Sequence, residues 1–197
     1  TELQLHKNPL IVLMPRIYTL TRLQKLTWDQ KYVANILPEV VEQGSQNVMK
    51  YLKLLAENRQ SEGFLCLENL GLIKLPEWTR DTLPKYLIKC TENATFRWNA
   101  LRDVSTLAIA PVLRSLCLSY NKMTTFPHGL ELMPTLQVID LSSNQIQAID
   151  IVVLQMTQLQ VLDLKNNFLT QIMLALSELT TLKRVDLQNN MISVLPL

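Results

Sequence analysis

Leu159-Gln160-Val161-Leu162-Asp163-Leu164-Lys165-Asn166-Asn167-Phe168-Leu169 is one complete copy of a pattern that this chain repeats. With φ for an apolar residue it reads L-x-x-φ-x-L-x-x-N-x-φ, and the same pattern opens at Leu113, Leu136 and Leu182, each 23 residues from its neighbour. A fixed period of this length marks a solenoid, because one copy cannot bury its apolar face alone and buries it against the next. The spacing sets the architecture before any single side chain is weighed.

Taking Leu118, Leu141, Leu164 and Leu187 as the inner strand position, steps of 28, 23, 39 and 23 residues upstream reach Cys90, Leu67, Trp28 and Leu5. Eight coils result. Two places earlier stand Leu3, Leu26, Leu65, Ile88, Leu116, Ile139, Leu162 and Val185; five places later stand Leu10, Val33, Leu72, Thr95, Met123, Ile146, Leu169 and Ile192. Residues two apart on a strand point the same way, so these apolar columns predict a ladder stacked about 4.8 Å from coil to coil. Thr95 is the polar exception. Asn8, Asn93, Asn121, Asn144, Asn167 and Asn190 follow the strands, where a short amide can satisfy inward-facing backbone groups from both its ends. Lys31 and Leu70 replace that asparagine in the second and third coils, and Glu62 and Lys85 replace the opening leucine in the third and fourth.

These features resemble the "typical" intracellular leucine-rich-repeat class, with its Leu-Pro or Phe-Pro pairs at Leu75-Pro76, Phe126-Pro127 and Leu195-Pro196. The fold class expected is α/β: a leucine-rich-repeat solenoid of about eight coils with one parallel sheet on the concave face. One domain covers 1–197, expected to be a fragment of a longer array because the chain stops in mid-repeat. More narrowly, Asn8-Pro9-Leu10 together with Glu39-Val40-Val41, Gly44, Val48-Met49 and Tyr51-Leu52 resembles a segment of Roc-type repeat GTPases and of repeat proteins of the leucine-rich-repeat-containing protein 40 type. In the latter the array resumes afterwards, as it does here at Leu65. The class mostly acts as interaction modules, which is what the resemblance implies for function.

Two segments exceed the period. An inserted helix is predicted over 38–60, since Val48, Tyr51, Leu52 and Leu55 keep the i, i+3, i+4, i+7 spacing of one buried helical face. It should pack on the convex side, with Ser45 as its N-cap. A smaller insertion is expected over 99–111.

Composition narrows the function. With 48% apolar and 18% charged residues among 197, the chain is too hydrophobic to be disordered, and no uncharged apolar run is long enough to span a membrane. A net charge of +2 with interspersed signs gives no footprint for nucleic acid. Cys66, Cys90 and Cys117 fall in separate coils and form no disulfide framework, which favours an intracellular, cytoplasmic setting. Asn93-Ala94-Thr95 is a glycosylation sequon, read as accidental if Asn93 belongs to the ladder. His6 and His128 lie too far apart in the array to share a metal or a triad, and the four glycines are too scattered to cradle phosphate, so no enzyme and no cofactor are expected.

A protein partner on the concave face is the function expected. Strand residues pointing away from the core include His6, Glu68, Lys89, Thr91, Cys117, Ser119, Asp140, Ser142, Asp163, Lys165, Asp186 and Gln188. Asp140, Asp163 and Asp186 should stack as an acidic column suited to a basic partner, or else simply solvate the sheet. Tyr120 and Phe168 beside the ladder asparagines are candidate aromatic anchors, or packing residues. The alternatives are a targeting arm of a larger enzyme (Roc-type GTPase, kinase or phosphatase) and a phosphatase regulatory subunit.

Overall fold

A computed structural model describes residues 1–10, 12–29, 36–58, 63–75, 91–105, 107 and 110–194. Lys31, Val33, Glu62, Lys85, Ile88, Lys89 and Cys90, to which the repeat pattern assigns roles, lie outside the described residues. The described residues include eight strands of three residues each: β1 (Glu2–Gln4), β2 (Lys25–Thr27), β3 (Phe64–Cys66), β4 (Asn93–Thr95), β5 (Ser115–Cys117), β6 (Val138–Asp140), β7 (Val161–Asp163) and β8 (Arg184–Asp186). Every pairing is parallel and follows chain order, as stacked coils require. Leu65, Ala94, Leu116, Ile139, Leu162 and Val185 form one row across β3 to β8. Two residues on, Leu67, Phe96, Leu118, Leu141 and Leu164 are fully buried and form the second row of the core. Short 3-10 turns, at Pro15–Thr19, Leu130–Leu132, Ile151–Gln155 and Leu174–Glu178, lie between strands.

The fourth coil departs from the sequence reading. Its strand is centred on Ala94 rather than Ile88, so β3 to β4 spans 29 residues and β4 to β5 only 22. The segment 99–111, expected to hold an insertion, lies in a coil of ordinary length, and the additional residues precede β4. Thr91, expected on the sheet's outer face, is buried at the place that leucine opens in later coils. Thr95 ceases to be an exception in the core, since it lies beside Cys66 and Cys117 on the outer face.

Asn99, not Asn93, is therefore the ladder asparagine of this coil. Its Oδ1 accepts the N–H groups of Leu70 (3.0 Å) and Leu72 (3.1 Å), while its Nδ2 donates to the Leu67 and Phe96 carbonyls at 2.8 and 2.9 Å. Asn121, Asn144, Asn167 and Asn190 repeat the arrangement. Asn167, for instance, accepts from Ile146 N–H and donates to the carbonyls of Leu141 and Leu164, all at 3.0 Å. Each amide thus closes its own coil and the one before it. These bonds answer backbone groups that an inward bend strips of water.

The residue before each ladder position turns left-handed: Lys7, Asn69, Trp98, Tyr120, Ser143, Asn166 and Asn189 have φ between 52° and 60°. Asparagine and serine suit this conformation because their short polar side chains bond locally; Trp98 and Tyr120 do not have that excuse.

The single sheet expected from the period is split in two, β1–β2 and β3–β8. Helices α1 (Pro38–Glu42) and α2 (Ser45–Asn58) lie between them in the chain. Val48, Tyr51, Leu52 and Leu55 of α2 are buried, and the helix touches the 3-10 turn Pro15–Thr19 as well as β2 and β3, so it is wedged between the sheets rather than merely laid on the convex side. Its two ends finish the two open edges. Ser45 Oγ accepts from Leu26 N–H and donates to Leu26 C=O, both at 3.0 Å. Asn58 Oδ1 accepts from Cys66 N–H at 2.8 Å, and its Nδ2 donates to Cys66 C=O at 2.9 Å. Side chains stand in for the missing strands, leaving these edge groups unavailable for pairing with another chain. Ser45 is consequently not an N-cap: Gly44, at φ 93°, supplies the carbonyl that receives Asn47 and Val48 N–H. Gln43 of the same connection reaches Leu70 C=O at 2.7 Å, lying so close over Gly71 that a Cβ there would meet Gln43 Oε1 at 2.2 Å.

Candidate interaction face

Strand register aligns the outward-facing side chains of the larger sheet in rows. Cys66, Thr95, Cys117, Asp140, Asp163 and Asp186 form one, so the three aspartates do stack on neighbouring coils as the spacing implies. Two residues further along each strand come Glu68, Arg97, Ser119, Ser142, Lys165 and Gln188. Lys89 is outside the described residues; Thr95 holds the place assigned to it, and Arg97 the place assigned to Thr91. His6 belongs to the smaller sheet, where its Nδ1 lies 3.2 Å from Asp29 Oδ1.

The aspartates have a local task as well as a charge. Asp140, Asp163 and Asp186 each accept the backbone N–H two residues ahead, from Ser142 (2.9 Å), Lys165 (3.0 Å) and Gln188 (3.2 Å). This steadies the turn out of the strand. Lys165 Nζ stands 3.4 Å from Asp163, and Arg184 pairs with Asp186 at 3.2 Å. The column's charge is partly answered within the face, which reduces the like-charge repulsion expected from stacking alone.

Asp140 is embedded differently. Burial opposes its charge, but hydrogen bonds from Ser142, Cys117 and the Ser142 backbone outweigh burial and hold its carboxyl below the ordinary range. Ser142 Oγ donates to Oδ1 at 2.6 Å and Cys117 Sγ to Oδ2 at 3.1 Å. Burial pushes the Cys117 thiol up, with Asp140 adding to the effect, so it remains a protonated donor at neutral pH. Burial likewise raises Cys66. Ser119 and Ser142, expected as contact residues, are 1% and 3% exposed and serve this internal network instead.

Beside the sheet, at the left-handed turn, a cluster emerges that spacing only half disclosed. Trp98 and Tyr120 are 47% and 48% exposed, with ring centroids 5.6 Å apart and planes tilted by 41°. The Arg97 guanidinium lies 4.3 Å from the Trp98 centroid and 5.9 Å from that of Tyr120. Its Nε is buried without a hydrogen-bond partner. Tyr120 is one of the anchors expected. Phe168 is also exposed but stands two coils farther along. Arg97 and Trp98 were missed because the fourth coil was read six residues early; the signal that finds them is Phe96, Asn99 and Leu101, which keep the spacing of the later coils.

Asn93 is exposed at the start of β4, so the argument that its amide is occupied within the ladder fails. Among the described residues no three His, Cys, Asp or Glu side chains gather as a metal site, and no helix is long and apolar enough to cross a membrane.

Residues 134–192 match the family described as leucine rich repeat. A search of the curated proteins finds no match. Among solved structures, a leucine-rich-repeat protein of Leptospira interrogans is similar at 27% identity and a TM-score of 0.59, over 96% of this chain and 43% of that one. An internalin of Listeria monocytogenes is similar in fold at 21% identity and a TM-score of 0.57, over 98% of this chain and 49% of that one. This chain thus spans less than half the length of either. With its repeated coils, asparagine ladder and parallel strands, the chain is folded as an α/β leucine-rich-repeat solenoid.

Proposed function

We propose that the chain is a non-catalytic scaffold that binds a partner protein on the concave, outer face of its strands, Glu68, Asp140, Asp163, Lys165, Asp186 and Gln188 supplying polar contacts. One observation carries this reading: charged side chains are held in rows along strands backed by a buried leucine core and an amide ladder. Rigid presentation lowers the ordering cost of association. A cytoplasmic setting is proposed on the unpaired thiols of Cys66 and Cys117. The narrower kinship, with a targeting arm of a Roc-type GTPase or with the leucine-rich-repeat-containing protein 40 type, rests on the motif over 39–52.

Charge and hydrogen bonding in the aspartate column can be separated. Asp140→Asn, Asp163→Asn and Asp186→Asn together keep an acceptor for each backbone N–H while removing three charges. A partner captured from lysate and identified by mass spectrometry should bind this variant at least about tenfold more weakly, with an unchanged circular-dichroism melt. Unchanged affinity would remove the aspartates from the binding face.

A further inference from the structure

We propose that Arg97, Trp98 and Tyr120 form an anchor for a protein segment that presents a carboxylate beside an apolar side chain. The inference rests on the scaffold reading above and names the chemistry of one end of the partner.

Three observations converge on this cluster. First, at the left-handed position Lys7, Asn69, Ser143, Asn166 and Asn189 serve other coils, whereas coils four and five carry a tryptophan and a tyrosine. Bulky aromatics resist this conformation, and such strain persists where it is put to use. Second, the backbone that carries both rings is pinned to the next coil. Trp98 N–H donates to Ser119 C=O at 3.2 Å and Tyr120 N–H to Ser142 C=O at 3.0 Å, yet about half of each side chain faces solvent. Third, Arg97 takes part in none of the ion pairs among the described residues, and its Nε is unsatisfied. The ring faces already orient its guanidinium, so its terminal N–H groups can fork onto a carboxylate without further ordering.

Trp, Tyr and Arg are the residues that most often dominate binding energy at interfaces. Charge complementarity sets the partner's polarity. Its acidic, apolar end would sit on coils four and five, and any basic residues would run toward Asp140 and Asp163 on coils six and seven.

The test is to pan a displayed random dodecapeptide library on the whole chain and on Arg97→Glu. Enrichment of Asp or Glu within two places of an aromatic or leucine, with Lys or Arg replacing the acid on Arg97→Glu, is the expected result. Trp98→Asn and Tyr120→Asn provide a second readout, because asparagine suits the left-handed turn. Each should melt no lower than the parent yet bind the enriched peptides at least about tenfold more weakly. A packing role alone would lower the melt and spare binding. Peptides without an acid, or the same peptides selected on Arg97→Glu, overturn the anchor. If those peptides are still lost on the triple aspartate-to-asparagine variant, the scaffold reading survives; if the library yields no binder at all, the anchor falls and the scaffold reading is decided by the lysate capture above.

Discussion

Tyr51 shows how one atom can sit badly in a well-packed core. Its ring is wholly buried in the α2 wedge, its hydroxyl has no hydrogen-bond partner, and burial pushes its ionisation well above the usual tyrosine range. Stripping a hydroxyl of water without a replacement bond costs about 1–3 kcal/mol, while the ring's apolar burial is retained without the oxygen. Tyr51→Phe should therefore leave stability unchanged or raise it by about 1 kcal/mol in urea unfolding. A loss of more than about 1 kcal/mol would mean that the hydroxyl has a partner. The aspartates are the opposite case, since one carboxylate oxygen of each accepts the backbone N–H two residues ahead.

Among the elements, α2 decides how the sheet is organised. Its buried apolar side chains contribute about 1.5–3 kcal/mol each, and Asn58 satisfies both groups of Cys66 that face away from β4. Asn58→Ala should cost about 2–4 kcal/mol, because a buried N–H and a buried C=O lose their partners together. Asn58→Asp, which keeps only the acceptor, should also destabilise; chemical unfolding of both variants checks this. Little of the wedge was legible in the sequence. Helical spacing disclosed its apolar face, but a hydroxyl and an amide replacing strands leave no periodic trace, and Ser45 after Gly44 looked like an ordinary cap. Later coils were readable because leucine and asparagine coincide at each position. The fourth was not, because Thr91 and Ala94 fill leucine places and Asn93 offered a false match, which also displaced Arg97 and Trp98 from view.

For the whole molecule, stability is spread along an axis. Each coil touches chiefly its neighbours, so local loss propagates by one step rather than collapsing a shared core. Asn167→Ala should leave the Ile146 N–H and carbonyls of two coils without a partner, raising hydrogen exchange at Ile146 and, as the turn loosens, in β7 while leaving β4 near its parent value. Uniform loss of protection across the sheet would show that the array melts as one unit.

The ladder also has a direction. Each ladder asparagine from Asn99 to Asn190 reaches back to the preceding coil, and the backbone N–H it receives there has no other partner until that amide arrives. During synthesis a coil leaving the ribosome is thus finished only by the amide of the next, so folding trails translation by one repeat. A ratchet results: growth at the carboxyl end locks what has already formed.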